Sequence, residues 1–370
     1  MSLSGCKRIG SGLTLLCWLG LGVAGPAGAQ VLEPLASGDQ QAPPDAVAGP
    51  VKAGAWTVQP IQIPEAAKHV SGARPLASLD QVTIETTSGA LYSLADCGDG
   101  LCAERIGNPR PSDPLPVGAL PGSVVATGRH TIARAWLAEP AQRLLGSTLG
   151  GPVAGALVVE DVTARTFRLD LPTSQAFEDR RPRIVDLGPD NPDTILLVRS
   201  AEDTGAALVA IGLSGEGLLQ TVAETPPLGT PRAWLNPIGT GDFTGSGSTD
   251  VAIVTTPDAG GTLQILSLQD RQFQQRFTIR NISNHAPGSD TIDMAVVADF
   301  DADGLADIAA PDADRQHIRI LSFANGRVAE PASITLPAPV VTEIAAVSAG
   351  AGKRPYLLMG LADGQLVLLH

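Results

Sequence analysis

Beyond residue 79 the chain is written in short apolar runs, each of about four to six residues and each broken by Gly, Pro, Asp or Asn. That rhythm predicts strands at Val82–Thr86, Ala90–Leu94, Val124–Thr127, Ile132–Leu137, Ala156–Glu160, Phe167–Leu171 and Thr194–Arg199. It predicts further strands at Ala207–Ile211, Val251–Thr255, Leu263–Leu268, Ala295–Ala298, Ile308–Ala310, Ile318–Phe323 and Tyr356–Gly360. With 41 Gly and 30 Pro, turns are expected to be frequent and long helices are not expected. One earlier stretch, Trp56 to Ile63, also reads as extended, and Pro60 within it places it at a sheet edge or at a bend.

The turn from Asp299 to Asp307 differs from the others. It reads Asp-Phe-Asp-Ala-Asp-Gly-Leu-Ala-Asp, with carboxylates at loop positions 1, 3, 5 and 9 and Gly304 at position 6. Calcium takes six to eight hard oxygens, and a short loop supplies them by turning alternate side chains inward. Asp299, Asp301, Asp303 and Asp307 are therefore candidate calcium ligands, with the backbone carbonyl of Leu305 as a further oxygen. Without a cation, four like charges this close repel one another. The plainer alternative is an Asp-rich surface turn, since Asp and Gly favour turns in any case.

The loop is one copy of a repeat. Asp307 stands 57 residues after Asp250, and Asp299 stands 57 after Asp242. Gly241-Asp-Phe-Thr-Gly-Ser-Gly-Ser-Thr-Asp250 aligns at that offset with Ala298 to Asp307. In this copy Thr244 and Ser246 replace two acids, which leaves Asp242 and Asp250 as carboxylates of a weaker candidate site. A third copy, with Asp186, Asp190 and Asp193, contains Pro189 and Pro192 and is weaker still. Earlier and later copies keep the strand and lose the acids. About six units of roughly 50 residues, each with about four strands, match the size of a propeller blade. The expected fold is all-β: a propeller of about six blades, at most seven, over residues 76–370. The last unit has room for three strands, and the strand near 56–63 is expected to complete it and close the ring.

The loop with its following strand resembles the FG-GAP/VCBS repeats of integrin-α-like β-propellers. The residues that carry the resemblance are Gly241-Asp242-Phe243 with Gly245 and Gly247, and Asp299 to Gly304 with Asp307. The match spans residues 230–325 and thins to a pattern elsewhere. The resemblance implies that the aspartate loop joins neighbouring strands of one blade and holds calcium on one face of the ring, with Asp299, Asp301, Asp303 and Asp307 as ligands.

Composition narrows the function. The formal net charge is −13, and the first 29 residues carry Lys7 and Arg8 and no acid, so the remainder is more acidic still. That excludes nucleic acid or an anionic membrane as a charge-driven partner. Aromatic content of 4% argues against stacking platforms. Lys7-Arg8, the apolar stretch to Ala24 and Ala27-Gly28-Ala29 read as a signal peptide over residues 1–29, cleaved after Ala29, and predict a secreted or periplasmic protein without stable membrane insertion. Residues 30–75 read as an Ala/Pro/Gly-rich linker around the closing strand. Cys97 and Cys102 then remain as a hairpin disulfide suited to an oxidising compartment.

No phosphate loop, nucleophile elbow or zinc-helix motif occurs, and the five histidines are scattered. Glu160-Asp161 and Glu178-Asp179 are expected to be solvated loop charges, and Trp136 and Trp234 to be core. The expectation is a monomeric binding module for a protein or surface glycan, stabilised by structural calcium and without catalysis. The alternatives are a polysaccharide lyase or hydrolase on a propeller scaffold, or an envelope-assembly component.

Overall fold

A computed structural model describes residues 55–72, 74–98, 100–107, 114–188 and 193–370, together with the backbone of 47–48. The expected signal peptide and most of the linker lie outside the described residues. The described residues contain strands and two 3-10 turns and no α-helix.

The strands form three four-stranded sheets, one of five and one of nine. The five-stranded sheet is a four-strand meander with Val47–Ala48 laid parallel along its outer edge. The nine-stranded sheet is two meanders joined through Gln175–Phe177, which pairs with a strand of each. The result is six blades in chain order. Blade 1 holds Ala67–Ser71, Thr83–Thr86, Leu91–Asp96 and Leu101–Gly107. Blade 2 holds Ala126–Thr127, Ile132–Ala141, Val153–Asp161 and Thr166–Asp170. Blade 3 holds Arg183–Val185, Thr194–Ala201, Gly205–Leu213 and Leu219–Glu224. Blade 4 holds Leu235–Gly241, Asp250–Thr255, Thr262–Gln269 and Gln272–Arg280. Blade 5 holds Val296–Ala298, Asp307–Pro311, His317–Ser322 and Val328–Thr335. Blade 6 holds Ala345–Val347, Tyr356–Gly360, Leu366–Leu369 and, from the other end of the chain, Val58–Ile61. Among the described residues the fold is a β-propeller of six blades.

Alternating side chains of a strand point to opposite faces, and here both faces are buried against neighbouring blades. In Thr194–Ala201, Ile195 and Leu197 enter the core shared with blade 2, while Leu196 and Val198 enter the core shared with blade 4. In Asp250–Thr255, Val251 and Ile253 face blade 3, while Ala252 and Val254 face blade 5. Leu357 and Met359 face blade 5, and Leu358 faces blade 1. This double burial explains why these strands read as unbroken apolar runs rather than alternating ones. Among the described residues no apolar cluster spans blades 1 and 2.

Val58–Ile61 pairs antiparallel with Leu366–Leu369, and Thr57 and His370 exchange backbone hydrogen bonds beyond the ladder at 2.8 and 3.1 Å. Val58–Ile61 has a single neighbour, so Pro60 sits on an edge strand, where the missing N–H costs no ladder bond. Blade 1 begins at Ala67, ahead of residue 76, in a strand that the apolar rhythm does not mark. Cys97 and Cys102 stand at disulfide distance across the turn between the last two strands of blade 1, with Cα atoms 6.0 Å apart.

Candidate metal site

The Asp299 loop connects the first two strands of blade 5. Its backbone turns through Ala302 and Gly304 in the left-handed region, at φ 63° and 87°. Asp299 holds that shape: one carboxylate oxygen accepts the Ala302 N–H at 2.7 Å and the other the Gly304 N–H at 3.0 Å. Asp303 accepts the N–H of Leu305 at 2.8 Å. Phe300 is buried in the core between blades 5 and 6, which anchors the start of the loop.

The loop brings carboxylate oxygens of Asp299, Asp301 and Asp307 within 4.8 Å of one another. Asp303 is exposed and is not part of this trio. Asp307 is fully buried. Its Oδ2 accepts the Phe300 N–H at 2.8 Å, while its Oδ1 has no hydrogen-bond partner. Burial, joined by the charges of Asp301 and Asp303, pushes the Asp307 carboxyl up to about 7. Burial and the neighbouring Asp303 and Asp299 raise Asp301 as well. A buried carboxylate oxygen without a donor is costly, and a cation at the trio would satisfy it. The donor set is hard oxygen only, as calcium prefers. The residues therefore fit the ion.

The Asp242 loop has the same backbone. Gly245 and Gly247 take φ 75° and 76°, at the positions of Ala302 and Gly304. Asp242 accepts the N–H groups of Gly245 and Gly247 at 2.8 and 2.7 Å, as Asp299 does for its own loop. The chemistry at the far end differs. Asp250 accepts from the Ser267 hydroxyl through Oδ1, and Thr244 Oγ1 lies 3.5 Å from its Oδ2. Ser246 accepts the Ser248 N–H at 3.3 Å through its hydroxyl. The Ser322 hydroxyl stands beside Asp307 as Ser267 stands beside Asp250, but no donor lies within hydrogen-bond distance of Asp307 Oδ1.

The two loops touch. The Ala306 N–H donates to the Asp242 carbonyl at 3.1 Å. A Cβ on Gly241 would lie 2.5 Å from the Ala306 Cβ. Gly241→Val is expected to destabilise the chain by about 1–3 kcal/mol through overpacking, read as a fall in urea midpoint; an unchanged midpoint would show that the loops part freely.

In the third copy Asp190 lies outside the described residues. Asp193, at the position of Asp307, has been turned to another use. Its Oδ2 accepts the N–H groups of His130, Thr131 and Ile132 at 2.9, 2.6 and 2.9 Å, which ties blade 3 to blade 2.

The acidic pairs are not solvated loop charges throughout. Glu178 and Asp179 are buried, and so is Asp161. Asp179 pairs with Arg183 at 2.7 Å, and Asp161 binds Arg165 and the Thr163 hydroxyl. Burial raises the Glu178 carboxyl above its ordinary range, against the Ser200 hydroxyl and the Thr148 N–H. The stretch Glu178-Asp-Arg-Arg-Pro-Arg183 is charge-dense, and that density is the one local signal in the sequence that marks this buried cluster. Trp234 is core, with its indole N–H on the Glu178 carbonyl at 3.1 Å, and Trp136 is buried within blade 2. His285 is enclosed between Asp258 at 2.8 Å and the Ser289 carbonyl at 2.9 Å.

No protein-family model matches the chain. No curated protein matches it. Among solved structures, the chain is similar to the WD40 domain of Toxoplasma gondii coronin at 10% identity and TM-score 0.45, over 88% of each chain. It is also similar to a functionally unknown protein of Desulfotomaculum acetoxidans at 10% identity and TM-score 0.38, over 83% of this chain and 86% of that one.

Proposed function

We propose that this chain is an exported, calcium-stabilised propeller of the FG-GAP/VCBS type that serves as a binding module for a protein or surface glycan. The observation that carries the calcium reading is the bare, buried Oδ1 of Asp307 beside Asp299 and Asp301. Bound there, calcium would neutralise the trio and clip together the first two strands of blade 5. The Leu305 carbonyl and Asp303 stand in the same loop as secondary oxygens. The Asp242–Asp250 loop is the weaker site, since its hydroxyls and N–H groups already serve its two carboxylates. Export is supported by the basic and apolar pattern of residues 1–29 and by the Cys97–Cys102 pair. No helix among the described residues is long and apolar enough to cross a membrane.

The binding role is supported by six blades that present turns of unequal length around a central cavity. Fold alone does not choose the partner.

An extracellular site of about 0.1–1 mM affinity should stabilise the fold by about 1.5–3 kcal/mol in 10 mM calcium. The expected rise in melting temperature over chelator is about 2–5 °C. Asp301→Ala should abolish that rise, and Asp303→Ala should reduce it less. A wild-type protein indifferent to chelator would remove calcium from the reading. Capture of an envelope component by the mature protein tests the binding role separately.

A further inference from the structure

The first strands of blades 2 to 5 surround a central cavity of about 770 Å³. In a protein of net charge −13 its lining is basic: Arg74, Arg129, Arg181 and Arg183 face it, against Asp186 alone. Two further carboxylates sit behind this lining. Asp293 binds Arg181 at 2.8 Å and Arg74 at 3.4 Å through the same oxygen. Asp179 binds Arg183 through Nη1 at 2.7 Å. Burial works to raise the Asp293 carboxyl, and Arg74, Arg181 and Arg183 outweigh it and hold it below its usual range. Burial pulls Arg181 down, and Asp293 opposes this.

These pairs leave donors over. Arg183 is 8% exposed, and its Nε and Nη2 have no hydrogen-bond partner. The Nε of Arg181 is likewise buried and unpartnered. Arg129 forms no ion pair among the described residues and is exposed at the rim. Unpartnered guanidinium donors in a buried setting are costly, and their planar fork matches a carboxylate, sulfate or phosphate group. The space is that of a small-molecule site.

We infer that the central cavity is an oxyanion-binding site, with Arg183 and Arg181 as its floor and Arg129 at its mouth. It rests on the binding-module reading and is independent of calcium. The ligand class is a compact group that bears carboxylates or a sulfate or phosphate ester. Asp179 and Asp293 act as positioning residues, since each fixes one edge of a guanidinium.

The test is calorimetric titration of the mature protein, in calcium and at constant ionic strength, with sodium sulfate and sodium succinate as separate probes and chloride as reference. At least one probe is expected to saturate at one site per chain with Kd below about 1 mM. Arg183→Gln should weaken that Kd tenfold or more. Arg129→Gln, at the exposed rim, should fold normally and weaken it about threefold, an expectation in line with a partly solvated ion contact. Sulfate over succinate assigns an ester anion, and the reverse assigns a carboxylate. Absence of saturable binding of both probes, or unchanged Kd in both variants, overturns the site. Envelope capture is measured on the same samples: if wild type still captures its partner while neither probe binds, the module stands and the oxyanion site falls.

Discussion

Deletion of residues 50–65 is expected to lower the melting temperature by about 6–11 °C. The strand Val58–Ile61 is the outer strand of blade 6, yet it comes from the far end of the chain. It contributes Ile61 to the core between blades 6 and 1, and Trp56 and Val58 pack on the core between blades 5 and 6. Burial of one such side chain stabilises by about 1.5–3 kcal/mol, so three partly to fully buried ones contribute about 4–7 kcal/mol. Trp56 also lies 6.3 Å from Phe300, centroid to centroid, and under the Arg354 guanidinium at 3.9 Å. Deletion would strip Leu366–Leu369 of its outer partner and leave an apolar edge open, a known route to association between chains. Loss of solubility on mild heating should accompany the lower melting temperature. A deletion variant that melts with the wild type would mean that the ring holds without this strand.

Asp193→Ala is expected to cost about 3 kcal/mol, because one carboxylate oxygen serves three backbone donors and charge-assisted bonds are the stronger kind. The donors belong to the turn that enters the second strand of blade 2, so the loss falls on a junction between blades. Asp193→Asn keeps one acceptor oxygen and should cost about 1 kcal/mol, near the net value of a neutral hydrogen bond. Urea titration reads both. Equal and small losses in the two variants would show that water replaces the carboxylate at no cost.

The second strands of the blades were legible because they are buried on both faces, so Thr194–Ala201 and Asp250–Thr255 read as unbroken apolar runs. The outer strands of blades 3 and 4 were not. Gln272–Arg280 and Leu219–Glu224 face solvent along much of their length and carry polar residues there, so no apolar run marks them. Ala67–Ser71 buries only Ala67 and Val70, too few to stand out. The Asp299 loop was legible because its ligand spacing is local, whereas the separation of Asp303 from the trio depends on how the turn closes. Glu178 and Asp179 looked solvated because the groups that bury them come from Arg183 and from loops far along the chain. The arginine cavity was invisible for the same reason: Arg74, Arg129, Arg181 and Arg183 are drawn from three blades, and Arg74 and Arg181 meet Asp293 only in the folded ring.

Asp307 connects the repeat in the sequence to the chemistry of the site. Its equivalents at Asp250 and Asp193 keep the carboxylate and bind it with a hydroxyl or with backbone N–H groups; Asp307 has the Phe300 N–H on Oδ2 and the Ser322 hydroxyl beside it, and of the three it alone keeps a buried oxygen, Oδ1, without a partner. The most direct test is the number of calcium ions retained per chain, read by native mass spectrometry of the mature protein after equilibration in millimolar calcium. One ion per wild-type chain and none in Asp301→Ala is the expected result; a wild-type chain that retains no calcium, or a variant that retains as much as the wild type, would contradict it.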